Sequence, residues 1–297
     1  MGIFFKGAWE SFWDSRGSLL PLCLFRASFC ILVCAESITW IPHTDELFSS
    51  QGFHQGPWGY LAPSPLMAKF LCLALVFVAF SSATGFLTRS SLFVTLVIWT
   101  FFFGLDQINE KALHSIVIIN LIILLFSASH ARLSLDDFLN IKNNRRRLAA
   151  DGSQLSLRLL QVQLCQVYFF SGFVKLCNNS WVSGETLSQI LTSRWATDMG
   201  VWFSGILPPA AFYLISISII LYELFAGVCL FIPQVRNYFI VFGVIFHALT
   251  LLLFYVGYLG LHYLAGLVIL FYDPARLDSC LRGISQKLGY DVYAANH

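Results

Sequence analysis

The stretch "QVYFFSGFVKLCNNSWVSG", Gln166 to Gly184, closes an apolar run, and Lys175 stands inside the apolar part of it. About 20 consecutive apolar residues cross the hydrocarbon core of a bilayer as a helix. A lysine within such a run must reach water, find a partner or serve chemistry, because an unpaired charge in lipid is costly. What surrounds Lys175 therefore decides both the fold and the site.

The rest of the chain has the same apolar texture. Of its 297 residues, 57% are hydrophobic, 16% aromatic and only 11% charged, whereas a soluble domain carries about 25% charged residues. No soluble core buries this much apolar surface, so the solvent is lipid, where backbone groups must be satisfied internally. Eight runs are read as spanning helices, at about 18–42, 65–87, 90–106, 112–130, 153–176, 207–233, 237–256 and 258–273. The expected fold is an all-α polytopic membrane helical bundle. The last two runs, separated only by "GYLG", form a tight hairpin. Residues 1–17, with Phe4, Phe5, Trp9, Phe12 and Trp13 at amphipathic spacing, read as an interfacial helix. Residues 18–273 form the transmembrane domain and 274–297 a short cytoplasmic tail. No cleavable signal peptide is recognised.

The positive charges orient the bundle. With the N-terminus cytoplasmic, the inside segments hold Lys6, Arg16, Arg89, the run "IKNNRRR", Arg236 and Arg276, whereas the outside segments hold only Lys111 and Arg194. Both termini are then cytoplasmic, and the face toward the periplasm, extracellular space or lumen carries two long segments. His43 to Pro65 is one. Cys177 to Leu207 is the other, with helical spacing at Leu187, Ile190 and Leu191. Long loops with embedded helices often cover a site. "SLDDFLN", on the inner side, reads as a short surface helix.

This topology gathers ionisable groups in the outer half: Lys175, His114, Lys69, Glu36, His262 and His247. Arg26 and Glu223 lie nearer the inner half and are expected to form a structural ion pair between the first and sixth runs. A snorkelling lysine at a span end is the plain reading of Lys175 and Lys69. Intramembrane ionisable groups more often face a cavity, a partner or a pathway. Six of the eight cysteines lie in apolar runs as small hydrophobes, and no Cys/His ligand cluster suggests a metal. The net charge of +2 is small and no basic face is interleaved with stacking aromatics, so no nucleic-acid partner is expected. No phosphate-binding loop, nucleophile elbow or metalloprotease motif is present.

"YFFSGFVKLCNNSWVSGETL" resembles a pattern of the HTTM family, the membrane domain shared with vitamin K-dependent γ-glutamyl carboxylase: tyrosine–phenylalanine–apolar–small–glycine, lysine–leucine, a polar stretch, then tryptophan–x–x–glycine. "LFRASFCILVCAESI", "HTDELFSSQGF", "NEKALHS", "LYELFAGVCLFIP" and "VFGVIFHALT" resemble further family segments in the same order. The resemblance implies a membrane enzyme that couples epoxidation of reduced vitamin K, or another hydroquinone, to carboxylation of glutamate in a peptide or protein on the outer face. Oxygen and carbon dioxide are the implied co-substrates. Lys175 is the implied base, and His114 and His247 match the family's histidines. Tyr168 and Trp181, the tyrosine and tryptophan of the motif, are assigned to substrate binding with His262. Where the carboxylase has acidic residues after its lysine, this chain reads "CNNS". A non-carboxylating relative that serves maturation, export or immunity of a secreted peptide is the second reading. A small-molecule transporter or channel is the third.

Overall fold

The computed structural model describes residues 10–105, 112–142 and 151–287. The apolar runs become α1 (Leu20–Trp40), α3 (Pro65–Thr84), α4 (Thr88–Leu105), α5 (Ala112–Leu125), α7 (Leu155–Leu176), α11 (Pro209–Cys229), α12 (Pro233–Leu253) and α13 (Leu261–Phe271). Between them lie α2 (Thr44–Phe48), α6 (Leu135–Lys142), α8 (Asn179–Val182), α9 (Glu185–Leu191) and α10 (Asp198–Ile206), and α14 (Pro274–Lys287) follows. Prolines open α3, α11 and α12, where a missing N–H costs nothing and the fixed φ suits a first turn.

Six helices, α1, α3, α4, α7, α11 and α12, are long and apolar enough to cross a membrane, whereas α5 and α13 are apolar but shorter. The eleven residues of α13 rise about 16 Å, roughly half the bilayer core. All eight expected runs are thus helical, with six of full spanning length. Many large apolar side chains point outward, among them Phe70, Phe77, Phe126, Leu214 and Tyr238, a surface suited to lipid.

Three polar contacts fix which helix ends lie together. Arg26, near the start of α1, donates to carbonyls at the end of α3 and after α5. Lys69, at the start of α3, pairs with Asp45 beyond α1 at 2.8 Å. Glu36, late in α1, accepts from the Tyr258 N–H between α12 and α13 at 3.1 Å. The basal end therefore holds the start of α1, and the distal end holds the α12–α13 hairpin.

At the basal end, β1 (Arg16–Ser18) pairs antiparallel with β2 (Asp151–Ser153). The expected interfacial helix is helical at residues 10–13 and gives way to β1 at Arg16. Strand pairing with β2 satisfies the backbone there, where the sequence pattern had suggested a helix through residue 17. Residues 1–9, the basic run at 143–147 and residues 288–297 of the tail lie outside the described residues. "SLDDFLN" does form a short helix, α6, and Asp136 accepts from the N–H groups of Leu87 and Thr88 at 2.8 Å each, capping α4.

The expected Arg26–Glu223 pair does not form. Arg26 is fully buried. Its Nε donates to the Ser129 carbonyl at 3.1 Å, its Nη2 to Leu133 at 2.7 Å, and its Nη1 to Ala83 at 2.8 Å and to Ser82. Last-turn carbonyls have no intrahelical partner, and one guanidinium carries five donors. Arg26 thus ties α1 to the last turn of α3 and to the α5–α6 connection by satisfying their carbonyls. Glu223 is held elsewhere.

Candidate functional site

α7 and α11 form the most extensive helix pair of the bundle. Gly172 makes their approach possible: a Cβ there would lie 2.9 Å from both Glu223 Cβ and the Leu224 backbone nitrogen, closer than real Cβ contacts allow. Lys175 and Glu223 meet just beyond this crossing. Lys175 is the penultimate residue of α7, yet Glu223 lies fourteen residues into α11, about 21 Å along it. The first half of α11 therefore projects past the distal end of α7. α8 and α9 pack against this projecting half: Leu187 and Leu191 of α9 cluster with Phe212, and Trp181 of α8 joins them. The Cys177–Leu207 segment thus roofs the distal end of α7, as its helical spacing suggested.

Lys175 Nζ donates to Glu223 Oε2 at 2.7 Å and to Ser171 Oγ at 2.6 Å, and Ser171 Oγ donates to Glu223 Oε1 at 3.2 Å. Lysine and glutamate side chains are only 16% and 6% exposed. The Trp181 ring centroid lies 5.3 Å from the ammonium, within cation–π range. Lys175 is therefore no snorkeller but one corner of a buried triad.

Ser171 and Glu223 face a cavity of about 200 Å³. Its wall is mostly apolar (Val167, Phe246, Leu251, Val256), and its polar groups converge from α7, α11, α12 and α13. Tyr168 and His247, also on the wall, share a hydrogen bond of 2.6 Å between the hydroxyl and Nε2. Tyr263 stacks on the His247 ring, with centroids 5.7 Å apart and planes 8° from parallel. A mostly apolar pocket with a few convergent polar groups is the usual form of a small-molecule site.

The other candidates divide. His262 is 2% exposed and sits behind Tyr263, between it and Phe29. It lines a separate small cavity that shares Val167 and Tyr263 with the larger one. His114 is not at the site: it lies among Trp40, Trp99, Phe48 and Phe102 in a different cavity of about 60 Å³. The reason is topological, since α5 packs most extensively on α4, while the larger cavity lies among α7, α11, α12 and α13. Trp181 touches the ammonium rather than the cavity wall. Ser171 and Tyr263 were not singled out in the sequence. Ser171 was detectable, since it stands four residues before Lys175 and so on the same helix face. Tyr263 carried only its adjacency to His262.

The segment above the site is tied down from two sides. The Thr197 N–H donates to the Leu253 carbonyl at 3.0 Å and the Tyr255 N–H to Trp195 at 2.8 Å. These bonds fasten the α9–α10 connection to the distal end of α12. The polar stretch after Lys175 opens α8: Asn178 Oδ1 accepts from the Ser180 N–H at 3.0 Å and the Ser180 hydroxyl at 2.7 Å, an ordinary N-cap.

No curated protein and no solved structure matches this chain. A family model does, over residues 20–275, which include every helix from α1 to α13, the Lys175–Glu223 triad and the Tyr168–His247 pair. The chain belongs to the HTTM domain family.

Proposed function

We propose that this chain is a membrane enzyme that takes a hydroquinone headgroup into the cavity between α7, α11, α12 and α13 and uses Lys175 as a proton acceptor, in the manner of the vitamin K-dependent carboxylase it resembles. The observation that carries this reading is the Lys175–Ser171–Glu223 triad, whose Ser171 and Glu223 line an apolar-walled cavity that also carries the Tyr168–His247 pair. The cavity chemistry fits such a group. Val167, Phe246, Leu251 and Val256 suit an apolar ring system, and the triad and Tyr168–His247 pair offer partners to ring oxygens. When bound, the hydroquinone supplies reducing electrons and acidic phenolic protons.

The protein's own part is proton handling and exclusion of water. An amine is a competent base only when neutral. Glu223 at 2.7 Å provides the place to which the Lys175 proton can pass, with the Ser171 hydroxyl bridging both. Tyr168 and His247 hold each other in one orientation and fix a second proton-bearing group at the cavity wall. The α8–α9 roof keeps the triad from bulk water, which strengthens these electrostatic interactions. Glutamate in a peptide or protein, oxygen and carbon dioxide are the co-substrates that the carboxylase chemistry requires. The peptide approaches from the distal end.

One observation favours the second reading, a non-carboxylating member that matures or exports a peptide. The stretch Cys177 to Ser180, where the carboxylase has acidic residues, closes a helix N-terminus and presents no carboxylate. Incubating purified protein in lipid nanodiscs with vitamin K hydroquinone, oxygen, labelled bicarbonate and a glutamate-bearing peptide separates the readings. Label in γ-carboxyglutamate with equivalent epoxide is the expected result. Epoxide without label overturns carboxylation but keeps the hydroquinone site, whereas the absence of both products overturns the hydroquinone site and leaves the non-carboxylating reading.

A further inference from the structure

A second site lies at the basal end, remote from the cavity. Arg158 stands three residues into α7 and Arg236 three residues into α12. Both gather around the Leu230–Phe231 turn. The Arg158 guanidinium lies 4.7 Å from the Phe12 ring centroid, and Phe12 packs edge-on against Phe231 at 5.7 Å. Arg236 Nε donates to the Leu230 carbonyl at 2.8 Å.

Neither arginine has a carboxylate within ion-pair distance among the described residues. Each carries five N–H donors. Arg158 uses one on Gln161 Oε1 at 2.9 Å, and its Nε is buried with no partner. Two guanidinium groups thus meet at one turn, Arg158 over the Phe12 ring, with no carboxylate beside either among the described residues.

The surroundings say what kind of anion. Leu155, Leu159 and Val162 of α7 are exposed. Leu155 and Val162 stand three before and four after Arg158, so they share its helix face. Ile232, beside the turn, is exposed too. A free phosphate has no use for an apolar strip running from the guanidinium into the membrane. A phospholipid does, because its headgroup phosphate and acyl chains are joined. Basic pockets at helix ends on the positively charged side of membrane proteins recognise anionic headgroups in this way.

We propose that Arg158 and Arg236 together bind the phosphate of an anionic phospholipid, whose acyl chain lies along Leu155, Leu159 and Val162. Arginine forks match phosphate oxygens in pairs, and the Phe12–Phe231 floor fixes the Arg158 plane.

The test uses the full chain purified in mild detergent, titrated with phosphatidylglycerol, phosphatidylcholine or inorganic phosphate. Retained lipid is read by native mass spectrometry. The expected outcome is selective retention of phosphatidylglycerol, weakened about thirtyfold in Arg158→Gln/Arg236→Gln. The Arg158→Lys/Arg236→Lys protein, which keeps charge and loses the fork, falls between the two. Equal retention of phosphatidylcholine by the wild-type chain overturns the proposal, and this arm needs no variant to fold. Undiminished phosphatidylglycerol binding by the glutamine variant overturns it as well. Displacement of the lipid by millimolar inorganic phosphate overturns the lipid assignment in favour of a small-anion site.

Discussion

Lys175 and Glu223 illustrate how a buried pair fails when halved. Removing one partner of a buried ion pair leaves an uncompensated charge and costs about 3–5 kcal/mol, whereas removing both is often near neutral. Lys175→Met is therefore expected to lower stability by about 3 kcal/mol, and Lys175→Met/Glu223→Gln to recover most of that loss, as read by denaturant titration in detergent micelles. Equal losses in the single and double variants would mean that the two side chains are not coupled. Tyr168→Phe removes the hydroxyl that meets His247 at 2.6 Å. It is expected to cost about 1–3 kcal/mol, the penalty of an orphaned buried imidazole nitrogen, and to lower turnover with little change of fold by circular dichroism. That Lys175 and His247 need polar partners was legible in the sequence, because an ionisable group within an apolar run must be satisfied. The partner of Glu223 was not. Charges of opposite sign at similar depth suggested Arg26, but Arg26 is claimed by the carbonyls of Ser82, Ala83, Ser129 and Leu133. Backbone acceptors leave no mark in a sequence.

Among elements, the α7–α11 crossing sets the geometry of the site. Gly172→Val places branched carbons where Glu223 Cβ and the Leu224 nitrogen already stand 2.9 Å from a Cβ position. The expected cost is about 1–3 kcal/mol from overpacking, with a larger loss of activity than of stability because the Lys175–Glu223 contact shifts. Normal activity in Gly172→Val would show that the close crossing is dispensable. The helices themselves were readable, since lipid demands runs of about 20 apolar residues and Pro65, Pro209 and Pro233 mark three of their starts. Two things were not. α13 ends at Phe271 after eleven residues, although its apolar run looked longer. The slide of α11 past α7, which roofs Lys175, has no sequence signal at all, because helical periodicity records which face is apolar and not how far one helix is displaced along its neighbour. The separation of His114 from the cavity lined by Ser171, Glu223 and His247 escaped detection for a related reason: depth places residues at a level of the bundle and leaves their position around it open.

At the scale of the whole molecule, the bundle has a basal end tied by Arg26 and the β1–β2 pair and a distal end roofed by α8 to α10. We propose from the positive charges of the sequence that the basal end faces the cytoplasm. The two exposed free cysteines lie at opposite ends, Cys177 distal and Cys280 basal on α14. In sealed right-side-out vesicles, a membrane-impermeant maleimide is expected to label the wild-type chain and the Cys280→Ser variant, and to spare Cys177→Ser. The reverse pattern would invert the bundle and put the roofed site on the cytoplasmic side. The charge pattern is the sequence signal behind this orientation, which the labelling tests, and the helical spacing at Leu187, Ile190 and Leu191 pointed to a cover over the site without giving the packing that seats it on Phe212. The most direct measurement is epoxide formation from vitamin K hydroquinone and oxygen by the purified wild-type chain beside Lys175→Ala and Arg236→Gln. Epoxide from the wild type and Arg236→Gln, with at least about a hundredfold loss in Lys175→Ala, the range expected for a removed acid–base group, is the expected result. Undiminished epoxide from a folded Lys175→Ala protein would contradict a proton-accepting role for Lys175.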